Sequence, residues 1–193
     1  MDNNTDYLVV VNKDNLIDES YYNNVELVDC IDVFNKPTKL EKETYKAFLA
    51  LRSFLKTKGI NIELDSCYRS IEKQQQIMDE FIAKYGLEYA KEKVAPVRSS
   101  EHHTGLAIDL AVLESDLTYL NSDDLYIHEP IFREMHKYLS QFGFILRYPK
   151  GKENITGYDY EPWHIRYVGK RAAGLIDKNG LTLEEYVLKN NYS

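Results

Sequence analysis

The chain has 193 residues, of which 44% are hydrophobic and 28% charged, and it carries a net charge of -7. This size and composition predict a single soluble globular domain, residues 1–193, with a sizeable core. Because the chain is acidic and has no basic run, we expect no nucleic-acid partner. No apolar stretch is long enough to span a membrane, so we expect no membrane span. The sequence leaves the oligomeric state open.

The N-terminal stretch MDNNTDYLVVVNKDN lacks the positive and apolar regions of a signal peptide. We therefore expect a cytoplasmic protein. The alternative is an extracellular or membrane-anchored protein from which an N-terminal segment has been removed. Cys30 and Cys67 do not form a C-x-x-C pair, which excludes a thiolate zinc cage or a redox motif of that kind. A disulfide between these two residues is left open.

The first half of the chain shows alternating strand and helix patterns. Ser70 is expected to cap a helix that ends at Gly86. The other predicted elements are a strand at YLVVV (7–11), a helix over about 40–58, a strand beginning at Ile60 and a short helix in LEYAKEKVA (87–95).

The second half of the chain contains three further strand patterns. The predicted elements are a strand at GLAIDLA (105–111), a polar segment over 114–129, a helix begun by Pro130 and closed by Gly143, strands at FILRY (144–148) and EPWHIRYVG (161–169), and a helix opened by a Thr182–Glu185 capping box. The order lacks a regular β-α-β rhythm. We therefore predict an α+β fold with a small, mostly antiparallel sheet flanked by helices.

An aspartate interrupts the hydrophobic strand GLAIDLA. Asp109 shares one face of this strand with Gly105 and Ala107, whereas the other face carries only aliphatic side chains. Burying a carboxylate without a partner is costly. Its small neighbours leave room beside it, so the pattern predicts a bound cation.

Two histidines are the best additional ligands for such a cation. An extended chain would separate His102 from Asp109 by roughly 23 Å, so the chain must double back, and Gly105 permits that turn. His164 in EPWHIRYVG completes a set of two histidines and one aspartate with an open position, the arrangement of catalytic zinc. On spacing alone, the alternative of ordinary core and surface histidines remains open.

Two neighbours of the ligand candidates receive separate interpretations. Glu161 lies three residues before His164, and the intervening Pro162 breaks regular extension, so both side chains can reach one site. A carboxylate near the metal that is not a ligand can act as a general base. His103 would face away from His102 in an extended chain, which predicts a surface position or an indirect role beside the site.

The motifs SEHHTGLAID and EPWH fit the patterns S-x-H-x-x-G-x-A-x-D and E-x-W-H. Together they resemble the zinc D-Ala-D-Ala metallopeptidases of the VanY type, with the small bifunctional VanXY enzymes closest. The resemblance extends over nearly the whole chain and includes the block LDSCYRSIEKQQ. It implies that one zinc per chain is bound at the sheet by His102, Asp109 and His164.

The resemblance also implies roles for residues around the metal. Glu161 matches the base that activates water and then protonates the leaving amine. Arg69 matches the arginine that stabilises the oxyanion, for which a fixed cation is suited. Gln74 and Ser100 match positions that hold the C-terminal carboxylate of the substrate. Trp163 would line the pocket for a D-alanine methyl group, with core packing as its alternative.

Ser66 departs from the resemblance. It stands directly before CYR, where a dipeptide-cleaving relative has an acidic residue for the substrate ammonium. The resemblance thus implies a D,D-carboxypeptidase that prefers pentapeptide stems of peptidoglycan precursors, with the free dipeptide as a weaker substrate and a role in vancomycin resistance. An acid from the polar segment 114–129 could instead bind the ammonium. The alternatives are an L,D-carboxypeptidase acting on tetrapeptide stems and a non-catalytic, zinc-containing cell-wall-binding domain.

Overall fold

The computed structural model describes residues 5–113 and 128–191, apart from the side chains of residues 92, 93 and 191. The predicted polar segment over 114–129 lies outside these residues up to position 127. Within the described part of the chain, no helix is both long and apolar enough to cross a bilayer.

The fold is α+β, as predicted, with a four-stranded antiparallel sheet and a separate two-stranded hairpin. The strands are β1 (Leu27–Ile31), β2 (Pro37–Glu41), β3 (Ile62–Ser66), β4 (Ala107–Val112), β5 (Phe144–Leu146) and β6 (His164–Tyr167). The helices are α1 (Lys42–Thr57), α2 (Ile71–Tyr85), α3 (Leu87–Lys93), α4 (Glu129–His136), α5 (Glu153–Thr156), α6 (Lys170–Asn179) and α7 (Leu183–Asn191). Three-ten turns cover Glu19–Asn23, Glu101–Thr104 and Leu139–Phe142.

Strand β4 lies inside the sheet, between β3 and β6. Its register places Asp109 opposite His164 of β6 and opposite Ser66 of β3, just after an irregularity in the β3–β4 pairing. The predicted alternation of β4 is confirmed, because Ile108 and Leu110 are completely buried in the main hydrophobic core. Ser66, Asp109 and His164 therefore lie side by side on three adjacent strands.

Helix α1 begins where the β1–β2 hairpin ends. The carboxylate of Glu41 accepts a hydrogen bond of 2.8 Å from the backbone N–H of Thr44 and so caps the helix. The helix starts two residues later than predicted because Leu40 pairs with Val28 in the hairpin. Its inward face packs into the main core through Phe48, Leu51 and Leu55.

The predicted helix caps are confirmed. The hydroxyl of Ser70 accepts a 3.1 Å hydrogen bond from the N–H of Lys73 at the start of α2, which ends at Gly86. At the start of α7, the Thr182 N–H donates to Glu185 Oε2 at 2.8 Å and the Glu185 N–H donates to Thr182 Oγ1 at 3.2 Å. This reciprocal pair is the capping box that the sequence predicts.

The predicted strand at 7–11 is wrong. This segment runs beside the sheet without pairing as a strand. Instead, the carbonyl oxygens of Tyr7 and Val9 accept hydrogen bonds of 3.0 and 2.8 Å from Nη2 of Arg166. A buried guanidinium from β6 therefore satisfies the carbonyl groups that a neighbouring strand would otherwise pair.

The β1–β2 hairpin was not predicted. Its strands each have five residues and only one or two of them are buried, so they lack a clear alternating pattern. The turn between them does carry a signal, because Asp32 Oδ1 accepts hydrogen bonds from the N–H groups of Phe34 and Lys36, both at 2.8 Å. Asn35 in that turn has a positive φ of 59°, which asparagine tolerates better than most residues.

Gly105 ends the turn that brings His102 back towards β4, as predicted. Its φ is +71°, and a Cβ atom there would lie 2.6 Å from Cδ2 of Leu27 and 3.1 Å from the backbone nitrogen of Glu41. This residue therefore meets both a conformational and a steric constraint.

We expect Gly105→Ala to destabilise the protein more than Gly151→Ala, measured as the free energy of unfolding in urea. Gly151 has a comparable φ of +82° but nothing within 4 Å of an added Cβ. The control should lose about 1–2 kcal/mol from backbone strain alone, and Gly105→Ala about 1–3 kcal/mol more from overpacking. Equal losses would show that the close approach of the hairpin contributes nothing.

Candidate metal centre and active site

Three side chains of the sheet region bring their donor atoms together. His102 lies in the three-ten turn Glu101–Thr104, Asp109 in the middle of β4 and His164 at the start of β6. One donor atom of each lies within 4.8 Å of the others. Asp109 Oδ2 is 3.1 Å from His102 Nε2, and Asp109 Oδ1 is 2.9 Å from His164 Nδ1. Ligand atoms around a tetrahedral zinc are separated by about 3.3 Å, so one small cation can contact all three.

The two histidines present different nitrogens to this point. Nδ1 of His102 hydrogen-bonds to the carbonyl oxygen of Cys67 at 2.7 Å, which leaves Nε2 for Asp109. His164 is turned the other way, with Nδ1 towards Asp109 and Nε2 towards Glu101 at 3.4 Å. Each ring is held through the nitrogen that faces away from the cluster. Cys67 and its neighbour Cys30 are buried free thiols.

The electrostatic field at the cluster favours a cation. Burial alone would raise the pKa of Asp109, but His102 and His164 together hold it well below its usual range. Burial also disfavours a charged imidazole, yet hydrogen bonds from the ring to the carboxylates of Asp109 and Glu101 raise the pKa of His164 to about 10. The carboxylates of Asp109 and Glu101 thus stabilise positive charge at His164. A divalent cation would provide that charge in place of a proton.

Glu161 lies beside the cluster and is not one of the three donors. Its Oε2 is 3.6 Å from Nδ1 of His164, on the side of the ring that faces Asp109. The backbone turns here, since the N–H of His164 donates to the carbonyl of Glu161 at 3.2 Å across Pro162. Burial, with the nearby negative charge of Asp109, raises the pKa of Glu161 to about 7. A carboxylate with such a pKa can exchange protons near neutral pH.

The guanidinium of Arg69 is held by two side chains. Its Nη1 donates to Oε1 of Gln74 at 2.9 Å and its Nη2 donates to Oγ of Ser66 at 3.1 Å. Burial lowers the pKa of Arg69, while the charges of Asp109 and Glu161 act in the opposite direction. The guanidinium is therefore a fixed positive charge near enough to interact electrostatically with both carboxylates.

Gln74 and Ser66 both contact Arg69. Gln74 is completely buried, and its Nε2 donates to the carbonyl of Ala95 at 2.6 Å, so both ends of its amide are engaged. Ser66 stands on the face of β3 that meets Asp109. Both residues thus orient the arginine.

The other two predicted substrate-binding residues flank the ligands in the chain. Ser100 opens the three-ten turn that carries His102 and is 5% exposed. Trp163 is partly buried against the main hydrophobic core, and its carbonyl oxygen accepts a 3.2 Å hydrogen bond from the N–H of Leu110. Trp163 therefore has a packing role, whichever role it has toward a substrate.

Of the two alternatives predicted for His103, the surface position is wrong, and the indirect role beside the site agrees with the structure. The residue is completely buried, and its Nδ1 hydrogen-bonds to the carbonyl oxygen of Arg69 at 2.6 Å. The reason is the three-ten turn, in which consecutive side chains diverge by about 120° and do not alternate between two faces. His103 therefore supports the backbone of Arg69 while His102 faces the cluster.

Sequence reasoning missed Glu101 and its two arginine partners. Arg147 and Arg166 are both completely buried, and each binds Oε1 of Glu101. A signal was present in HIRY, because Arg166 follows His164 by two residues and so shares its face of the strand. An inward-facing arginine requires a buried acid.

A protein-family model for VanY, D-alanyl-D-alanine carboxypeptidase, matches residues 37–170. The chain belongs to this family. The match contains His102, Asp109 and His164, together with Glu161 and Arg69. It supports the VanY resemblance that the two sequence motifs indicate.

Two relatives carry related names. A D-alanyl-D-alanine carboxypeptidase of Enterococcus faecalis is 36% identical over 190 residues, which is 93% of this chain and 65% of the relative. VanXYC of Enterococcus gallinarum, a bifunctional D-Ala-D-Ala dipeptidase and carboxypeptidase, is 39% identical over 65% of this chain and 66% of its own length. The chain spans about half to two thirds of the length of the curated relatives it matches.

Solved structures share the fold. A mutant of the vancomycin-resistance D,D-pentapeptidase VanY from the VanB-type resistance cassette, in complex with Zn(II), is 34% identical with a TM-score of 0.77, covering 94% of this chain and 98% of that one. The LD-carboxypeptidase LdcB is 39% identical with a TM-score of 0.60, covering 78% of this chain and 69% of that one.

Proposed function

We propose that the protein is a zinc-dependent D,D-carboxypeptidase that hydrolyses the C-terminal D-Ala-D-Ala bond of peptidoglycan precursor stems. The observation that carries the proposal is the convergence of three metal donors and a further carboxylate at the sheet, with a fixed arginine held by Ser66, the residue opposite Asp109. A non-catalytic, zinc-containing binding domain would need only the three metal ligands. The additional acid and the fixed cation are groups that hydrolysis requires.

The donor set fits zinc by its chemistry. Two imidazole nitrogens and one carboxylate oxygen are a common protein contribution to catalytic zinc, with a further position left for water or substrate. His102, Asp109 and His164 would hold the ion, in line with the Zn(II) complex of the VanY neighbour. A zinc ion at such a site supplies Lewis acidity, which polarises the scissile carbonyl and makes a water molecule more acidic.

Glu161 would move the proton. Its carboxylate lies beside His164 without being part of the donor set, so it can accept a proton from the attacking water. The same carboxyl group would then donate that proton to the nitrogen of the departing D-alanine. Burial raises the pKa of this carboxyl group, which favours the protonated form needed for the second half of the exchange.

Arg69 would stabilise the negative charge that develops on the scissile carbonyl oxygen. Ser66 and Gln74 hold the guanidinium through two hydrogen bonds, so little reorganisation is needed when the charge appears. We assign Ser100 and Trp163 to the substrate side of the site. Gln74 contributes to substrate binding through Arg69, because both ends of its amide are already hydrogen-bonded.

The pentapeptide stem is the preferred substrate. A free dipeptide brings an ammonium group close to the reacting bond, whereas a longer stem has a neutral amide there. Ser66 offers no negative charge, and its hydroxyl accepts from Arg69 at 3.1 Å. Removal of the terminal D-alanine would deplete the D-Ala-D-Ala end that vancomycin binds, so we extend the proposal to glycopeptide resistance.

A substrate panel tests this proposal. We expect the zinc-loaded protein to release D-alanine from a pentapeptide stem ending in D-Ala-D-Ala faster than from free D-Ala-D-Ala, and not from a tetrapeptide stem. Released D-alanine would be measured with and without prior chelation. Release from the tetrapeptide alone would instead identify an L,D-carboxypeptidase. The 39% identity to the LD-carboxypeptidase LdcB is the reason for testing this alternative. No release from any substrate would favour a zinc-containing binding domain.

A further inference from the structure

Glu101 is a carboxylate that the proposed reaction does not use. It is 1% exposed and directly precedes His102 in the chain. One of its oxygens, Oε1, accepts hydrogen bonds from Nε of Arg147 at 2.6 Å and from Nη1 of Arg166. The other oxygen, Oε2, lies 3.4 Å from Nε2 of His164. The carboxylate therefore joins two buried cations to a metal-ligand candidate.

Each of the two arginines also donates hydrogen bonds to groups other than Glu101. Arg166 donates to two backbone carbonyls of the N-terminal segment at 3.0 and 2.8 Å. Arg147 binds both carboxylate oxygens of Glu184 in α7, at 2.9 and 2.6 Å. Because each guanidinium has fixed partners on both sides, Glu101 has a fixed orientation. Its Oε1 is occupied by the arginines, which leaves Oε2 directed at His164.

The strand register provides the room for this arrangement. Arg166 follows His164 by two residues in β6, so both side chains project from the same face of the sheet. Ala107 of β4 stands opposite Arg166, just as Asp109 stands opposite His164. The methyl group of Ala107 leaves space for a guanidinium beside the cluster.

We propose that Glu101 is a positioning residue that fixes the tautomer of His164. A neutral imidazole has one N–H group and one lone pair. An N–H on Nε2, directed at Glu101 Oε2, leaves the lone pair on Nδ1, the nitrogen that faces Asp109. Hydrogen-bond partners of this kind orient metal-binding histidines. The inference rests on the zinc site of the proposed function and adds a residue to it.

Glu101→Gln tests the inference by reversing one hydrogen bond. The arginines only donate, so they would retain the amide oxygen and turn the NH₂ group towards His164. Nε2 of His164 would then have to accept, and its N–H would move to Nδ1, where it opposes metal binding. We expect the zinc affinity to fall by about 10- to 100-fold, measured by competition with a chelator of known affinity.

Glu184→Gln is the matched control. It neutralises the other carboxylate on Arg147 and has no contact with His164. We expect this variant to lose less zinc affinity than Glu101→Gln, because its amide oxygen can still accept from Arg147 and the contact between Glu101 and His164 stays in place. Unchanged affinity in Glu101→Gln, or an equal loss in both variants, would overturn the inference. If the unaltered protein binds no zinc, the proposed function itself fails.

A second measurement does not depend on the folding of a variant. ¹⁵N NMR of the histidines in the zinc-loaded, unaltered protein should show a proton on Nε2 of His164 and the metal on Nδ1. A metal-bound Nε2, or a proton missing from that nitrogen, would contradict the assigned role of Glu101 even if Glu101→Gln does not fold.

Discussion

Glu161→Gln is expected to leave the protein folded and zinc-loaded while lowering kcat for D-alanine release by about 10²–10⁴-fold. The amide has nearly the size of the carboxylate but cannot accept the proton of the attacking water. Because Glu161 is not one of the three metal donors, the metal content should not change. Steady-state D-alanine release and metal analysis of the same preparation would measure both effects.

The pH profile gives an independent readout of the same group. A base works in its ionised form, so the activity should fall as the pH drops through the pKa of Glu161. That pKa is raised to about 7 by burial, and a bound dication would lower it again. The acid limb of kcat/KM is therefore expected below pH 7.

Glu88→Gln serves as the control for Glu161→Gln, because this glutamate is exposed on the surface and pairs with Lys91. It should keep full activity and the acid limb. Turnover within a factor of ten of the unaltered protein in Glu161→Gln would remove this residue from the role of base (an effect of one acid–base catalyst is at least about 10²-fold).

His164→Ala is expected to lose the metal. The unaltered protein should contain about one zinc per chain, as a three-ligand catalytic site predicts, and the variant with two remaining ligands should retain almost none after dialysis. A ligand that binds only the folded state stabilises it. A chelator should therefore lower the Tm of the unaltered protein and leave that of His164→Ala unchanged.

His136→Gln is the control for this experiment. His136 hydrogen-bonds to the carbonyl of Pro162 at 2.8 Å and is not one of the donors at the cluster. The variant should keep its zinc. Zinc that persists in His164→Ala, or that leaves both variants equally, would show that the metal is bound elsewhere.

The convergence of His102, Asp109 and His164 could be predicted because its signals are local. Asp109 breaks the alternation of an otherwise apolar strand, and Gly105 marks the turn that returns His102 to it. The helix caps at Ser70 and Thr182 are equally local, since each joins a side chain to a backbone N–H group three residues away. The family resemblance then supplied the roles that spacing leaves open.

What the sequence could not predict depends on contacts between distant segments. Glu101 has no periodic signal of its own, and Arg147 and Arg166 follow it by 46 and 65 residues. The apparent strand at 7–11 fails for the same reason, because its carbonyls bind Arg166 from the far end of the chain. The orientation of the His103 side chain depends on a three-ten turn, whereas the prediction assumed an extended chain.

The pairing of Arg166 with the N-terminal carbonyls has a consequence for the smallest autonomous fragment. The family match covers residues 37–170, yet a protein trimmed to that span would lack the two carbonyls that hold Arg166 and the glutamate of α7 that holds Arg147. Two buried guanidinium groups would then share one carboxylate beside His164. The contacts that support the candidate metal site therefore extend beyond the family match at both ends, and expression boundaries should include the segment with Tyr7 and the whole of α7.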